Sequence, residues 1–169
     1  MKADKLRALQ TPLKERYRAD PSSAIVQCHA EGRIDADALK CIVATHGGST
    51  IAGLHSAAGG TGEDACSGDM LLQSLVACAG VTFSAVATSM EIEIRSAGIK
   101  AKGTMDFRGT LGIDKSSPVG FQNIELIFLI DSAAEPTKLD KLIQLVERYC
   151  VILQTLKSPP SLSSRWERL

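Results

Sequence analysis

The sequence predicts an α+β domain, and three observations predict it. Two segments near the N-terminus alternate apolar and polar residues. A long apolar helical run follows. Two further alternating segments then precede a second helical run. Strands, a buried helix, strands and helices in that order make an α+β pattern rather than alternating βαβ units. The chain has 169 residues, 44% of them hydrophobic and 22% charged, which fits one globular domain. Lys plus Arg equals 19 and Asp plus Glu equals 19, so no basic excess points to nucleic acid. Aromatics are 4%, too few for base-stacking platforms.

Residues 1–21 read as an amphipathic helical lead-in and 22–169 as a single domain. In the lead-in, Leu6, Leu9, Leu13 and Tyr17 recur at helical spacing. Thr11-Pro12 predicts a break, with Thr11 capping a second short helix, and Pro21 ends the segment. Its basic excess suits a membrane surface or a partner, but packing on the domain is the simpler expectation.

Ala24, Val26, Cys28 and Ala30 share one face of a predicted strand, and Leu39, Cys41, Val43 and Thr45 one face of the next. A hairpin centred between Ile34 and Asp35 pairs Cys28 with Cys41 and Val26 with Val43. Both cysteines then belong to the core, where a thiol behaves as a small hydrophobe. A cross-strand disulfide, or a metal pair with His29 or His46, is the disfavoured alternative, because adjacent strand residues such as Cys28 and His29 point to opposite faces. The glycine loop at 59–62 lacks a following lysine, and Glu63, Asp64 and Asp69 repel phosphate. No cofactor or metal is expected.

Residues 70–90 carry no formal charge over 21 positions, long enough to span a bilayer. Gln73, Ser74, Thr82, Ser84 and many alanines, with no basic flank or second span, favour a buried core helix instead. Ser67 is its expected N-cap, and Asp69 sits in its first turn, where the helix dipole favours a carboxylate. Downstream, Ile99, Ala101, Gly103 and Met105 alternate with polar residues, as do Ile124, Leu126, Phe128 and Ile130. Residues 137–150 return to helical period, Pro159-Pro160 ends the next helix, and the tail to Leu169 is read as an edge strand.

Five cysteines are too few for a disulfide-stapled scaffold, and the odd count leaves a thiol unpaired. No apolar stretch follows the charged N-terminal residues as in a secretory signal, so a reducing cytoplasm is expected. Cys78 lies mid-helix and Cys150 at a helix end or junction. Burial disfavours a thiolate, so an active Cys78 requires an arginine or hydrogen-bond donor from elsewhere in the fold. Cys66 precedes the helix, about 18 Å along its axis from Cys78, too far for a disulfide between them. It reads as an accessory thiol or a loop residue. His55 reads as a site base or a surface histidine. Asp106 and Arg108, two apart on a predicted strand, share a face and read as a structural ion pair or a dimer contact rather than a catalytic pair. Arg148 reads as a solvated residue or a support for the Cys150 thiol.

The run at 67–80, SGDMLLQSLVACAG, resembles the central-helix motif of the OsmC/Ohr family, the osmotically inducible and organic-hydroperoxide-resistance proteins. MDFRGTLG at 105–112 with PVGF at 118–121, and ERYCVILQTL at 147–156, match further motifs in the family's order. The resemblance spans residues 22–165 and fits a general OsmC-like branch better than a dedicated hydroperoxide reductase. It implies an intertwined homodimer, with strands from both chains wrapping two long central helices. It also implies peroxidase chemistry on an organic hydroperoxide. The cysteine at Cys78 attacks the O–O bond, the sulfenic acid condenses with Cys150, and a dithiol such as a lipoyl group reduces the disulfide.

Two departures stand out. The peroxidase members carry a glutamate ten residues before the first cysteine, paired with an arginine; here that position is Gly68, and the nearest acid is Asp69. Arg33, at the first hairpin, is the candidate arginine by location. The second cysteine also lacks the following proline of the dedicated reductases. The competing readings are a binding protein for a small lipid-like or electrophilic ligand, and a thiol redox sensor.

Overall fold

The computed structural model describes residues 1–168. Helix α1 (Ala3–Ala19) runs unbroken through Pro12. The expected break does not occur, because the rung that proline removes lies on the exposed side of the helix, where the freed Ala8 carbonyl faces solvent rather than a buried surface. The Thr11 hydroxyl donates back to the Arg7 carbonyl (2.9 Å) instead of capping a new helix. The helix turns Leu6, Gln10 and Tyr17 inward, leaves Leu9 exposed, and is tied to the end of the central helix by an Arg7–Glu91 ion pair (3.0 Å).

A four-stranded sheet follows in the order β1 (Gly32–Asp35), β2 (Lys40–Thr45), β3 (Gly48–Gly53) and β4 (Ala65–Cys66). The hairpin differs from the sequence reading. Ile34 pairs with Cys41 and Gly32 with Val43. The turn sits at residues 36–39, where the Asp35 carboxylate accepts from the Ala38 amide (3.1 Å) and Leu39 takes φ 53°. This short-range turn chemistry sets the register. Residues 25–31 form no strand, and Cys28 is exposed rather than core. Their alternation suits a strand, but within one chain β1 and β2 pair without them.

The central helix α2 (Ser67–Ser89) begins one residue earlier than expected, with Cys66 as its N-cap. It is the one described helix long and apolar enough to cross a membrane, yet it buries Leu75, Ala79, Phe83 and Ala87 as a stripe of period four on protein. The opposite face is open, with Val81 74% exposed, so one chain covers the helix on one side only. That side rests on a two-stranded antiparallel ribbon, β5 (Ser96–Met105) and β6 (Phe121–Asp131), and on α4 (Pro136–Tyr149) and α5 (Val151–Lys157). The alternation read at 99–105 and 124–130 holds, with Ile99, Ala101, Ile124, Leu126 and Phe128 against the core. Gly103 leaves room for the Phe121 ring, which a Cβ there would meet at 2.5 Å. Residues 158–168 form no strand and are exposed; Leu169 lies outside the described residues.

Asp106 and Arg108 do pair, but not on a strand. Asp106 caps the short helix α3 (Phe107–Thr110), accepting from the Arg108 amide (3.0 Å) and from Arg108 Nε (3.0 Å). The Arg108 guanidinium is the main cause that holds the Asp106 carboxyl down to about 2. A depressed carboxyl stabilises the fold above its unfolded value, and that contribution is lost as pH falls from about 4 through about 2. An NMR titration of the Asp106 side chain is expected to show a midpoint near 2. In Arg108→Ala the midpoint returns toward the ordinary carboxylate range; an unchanged midpoint would refute the pairing.

Candidate functional site

Helix α4 stops at Cys150, whose backbone turns extended (φ −71°, ψ 109°), and α5 restarts at the next residue. The Cys150 amide closes α4 on the Val146 carbonyl (2.9 Å), and the Cys150 carbonyl accepts from the Gln154 amide (2.9 Å) in α5. A helix start leaves its first amides without carbonyl partners inside the helix. Here Cys78 and Ile152 pack against the same buried cluster as Cys150, and the nearby Ile152 and Val151 amides lower the Cys78 thiol. Cys150 is fully buried and packs with Leu75 and Ala79 of α2, which brings its thiol against Cys78. Two cysteines 72 positions apart in the chain thus meet in one cluster, where each thiol bears on the other.

Their electrostatics diverge. Burial pushes the Cys78 thiol up, but the Ile152 amide, the Cys150 thiol and the Val151 amide together outweigh it, and the net direction is down. Thr82 contributes least, since its hydroxyl already donates to the Cys78 carbonyl (2.8 Å). For Cys150, burial raises the thiol, and the neighbouring Cys78 raises it further against the Leu153 and Ile152 amides. Of the two, Cys78 is therefore the more readily ionised. Within one chain the groups that lower the Cys78 thiol are the Ile152 and Val151 amides, Cys150 and Thr82, with no arginine among them.

Asp69 and Arg33 are elsewhere in the chain. Asp69 is exposed in the first turn of α2, about 13.5 Å along the axis from Cys78 and half a revolution around the helix. Arg33 is exposed on β1, opposite Ile42. One chain brings neither to the Cys78 sulfur. His55 is also remote in role. Its Nδ1 accepts from the Ala57 amide (3.0 Å), and its ring stacks on Phe107 (centroids 4.7 Å apart). With Cys66 it lines a separate cavity of about 380 Å³. Arg148 stacks on its neighbour Tyr149, 5.6 Å from the ring centroid, as a solvated residue. Among the described residues no His, Cys, Asp and Glu group is arranged to hold a metal.

Leu75 and Leu153, which pack around Cys150, also wall an apolar groove of about 590 Å³. Leu71, Phe121, Leu126 and Leu156 also line it, with Gln122, Asn123, Glu147 and Lys157 among its polar lining. Apolar lining with a few polar groups is usual for small-molecule sites.

A family model described as OsmC-like protein matches residues 60–165, which spans both cysteines and the groove. The chain belongs to the OsmC-like family. Solved structures share its fold. An OsmC-like protein from Mycoplasma pneumoniae superposes with a TM-score of 0.66 at 16% identity, covering 79% of this chain and 89% of that one. An organic hydroperoxide resistance protein from Elizabethkingia anophelis gives 0.63 at 16% identity, covering 80% and 91%. A Legionella pneumophila structure described as an organic hydroperoxide resistance protein OsmC gives 0.62 at 14% identity, covering 80% and 92%. Among curated proteins no sequence match reaches significance. The OsmC-like architecture expected from the motifs is thus the architecture of this chain. Its Gly68 is packed over by Met105, whose Cε would lie 3.0 Å from a Cβ there.

Proposed function

We propose that this OsmC-like protein is a cytoplasmic thiol peroxidase that reduces organic hydroperoxides. The observation that carries the reading is the packing of Cys78 against the buried cluster of Cys150, Leu75 and Ala79, with the two thiols shifted in opposite directions. The Cys78 thiolate attacks the peroxide O–O bond and takes one oxygen as a sulfenic acid, and the alkoxide leaves and picks up a proton. Cys150 then attacks the sulfenic sulfur and expels hydroxide as the disulfide forms. The balance is Cys78–S⁻ plus Cys150–SH plus ROOH giving disulfide, ROH and OH⁻. A dithiol such as a lipoyl group returns two electrons to the disulfide. The groove of about 590 Å³ suits the apolar part of the peroxide.

We further propose that the working form is a homodimer. The chain exposes 12742 Å², against roughly 8,000 Å² for a compact 18.0 kDa monomer. A second copy meeting the open face of α2 would cover much of that excess. Since one chain cannot carry Asp69 or Arg33 to its own Cys78, any support they give the thiolate comes across the dimer, from the opposite copy.

One observation favours a second reading, a binding protein for a lipid-like or electrophilic ligand. The family's glutamate position is Gly68, and Met105 occupies the space above it. Treating the reduced protein with one equivalent of cumene hydroperoxide separates the two. Turnover predicts loss of two of the five thiols and a Cys78–Cys150 linkage by peptide mass spectrometry. Five free thiols after minutes would discard the peroxidase and leave ligand binding.

A further inference from the structure

The break at Cys150 has an identifiable support. In an unbroken helix the Val151 and Ile152 amides would bond to the carbonyls of Glu147 and Arg148, four residues back. Neither amide could then reach Cys78. Breaking the helix frees them but orphans the last carbonyls of α4. The Glu147 carbonyl is not left unpartnered. The side-chain amide of Gln154 reaches back seven residues and donates to it at 2.7 Å. From the same turn of α5, Lys157 Nζ pairs with the Glu147 carboxylate at 3.0 Å. Both residues of α5 therefore grip the residue whose carbonyl would otherwise recapture the Val151 amide.

We propose that Gln154 is a positioning residue. By occupying the Glu147 carbonyl it holds the α4–α5 break open and keeps the Val151 and Ile152 amides free to donate toward Cys78, which packs with Ile152 on the Cys150 cluster. Gln154 touches neither cysteine through its side chain, so it acts through the backbone alone. Its own amide bonds to the Cys150 carbonyl at 2.9 Å, which anchors the same side chain over the junction. Lys157 reinforces the grip through the side chain of Glu147, not its carbonyl, and is the weaker half: that pair is half-exposed, 52% for the lysine and 48% for the glutamate.

This inference rests on Cys78 being the nucleophile, and its test needs no peroxide. The rate of iodoacetamide alkylation at Cys78, followed by peptide mass spectrometry across a pH series, reports the thiolate directly. Gln154 is exposed, so Gln154→Met and Gln154→Glu leave the core intact. Methionine keeps the length and loses the donor. Ionised glutamate turns an acceptor toward the carbonyl. In both, the Cys78 alkylation midpoint is expected to rise by about one pH unit, because hydrogen bonds to the thiolate are lost. Thr155→Ala removes a different bond in the same helix, the Thr155 hydroxyl to the Val151 carbonyl (2.9 Å), and is expected to leave the midpoint in place. A wild-type midpoint in Gln154→Met, or an equal shift in Thr155→Ala, would overturn the proposal. The alkylation midpoint moves or stays whether or not the protein consumes peroxide, so the role of Gln154 and the peroxidase reading fail separately.

Discussion

Replacing Cys78 with serine is expected to leave all four remaining thiols free after hydroperoxide addition and to lower the peroxide reaction at least about a thousandfold. Serine keeps the size and loses the anion, because no arrangement of two backbone amides ionises an alkyl hydroxyl near neutral pH. Cys150→Ser should behave differently. Its hydroxyl still donates to the Cys78 thiolate, so one equivalent of peroxide is still consumed, at a rate within about tenfold of the parent. The sulfenic acid then has no thiol to condense with. With excess peroxide Cys78 should advance to the sulfinic acid, visible as a mass increase of two oxygens on its peptide. Turnover with a dithiol reductant should fall with it. If Cys150→Ser resists over-oxidation and turns over like the parent, Cys150 is not the resolving thiol.

The difference between the two variants follows from the division of labour at the site. Cys78 is half-buried on α2, and Cys150 is fully buried at the junction. Burial raises the thiol of both, and only Cys78 gathers enough donors to reverse it. On the proposed mechanism Cys150 is the resolving thiol, and its packing in one cluster with Cys78 means condensation needs little movement.

How far the sequence carries this picture depends on the range of each interaction. The central helix, β5, β6 and the two final helices are legible because their apolar spacing is local and their packing surface lies in the same chain. The segment 25–31 carries an equally clear alternation, yet it stays unpaired, with Ile25 and Val26 more than three-quarters exposed. A strand is a property of two segments, and alternation describes one. The hairpin register departs from the sequence reading for a smaller reason: Asp35 and Ala38 build the turn, and that four-residue signal outranks the match of apolar faces. At the site, both cysteines stand out in the motifs, and a donor to Cys78 is required on physical grounds. That the donors are the Val151 and Ile152 amides is not legible, because amides carry no sequence identity. The partner of the Gln154 side chain is hidden for the same reason: it is a carbonyl.

Val81→Asp is expected to abolish the dimer and, with it, peroxide turnover. By light scattering the parent should weigh 2 × 18.0 = 36.0 kDa. Val81 is 74% exposed in one chain, on the side of α2 opposite the buried stripe of Leu75, Ala79, Phe83 and Ala87. A lone apolar side chain in water needs no explanation, but an open face on the most apolar helix of the chain does. An aspartate there would sit unpaired in an apolar interface, at a cost on the order of 3–5 kcal/mol per buried charge. Each copy presents the site to the other, so the cost is met twice. The variant should therefore run as a monomer or aggregate at micromolar concentration, although Cys78 and Cys150 remain adjacent within each chain. If Val81→Asp is monomeric and still turns over peroxide, one chain suffices, and Asp69 and Arg33 have no role. If it is monomeric, keeps the low alkylation midpoint of Cys78 and loses turnover, the backbone amides set the thiolate. The opposite copy then supplies what the peroxide itself requires, which is the division expected of a site completed across a two-fold axis.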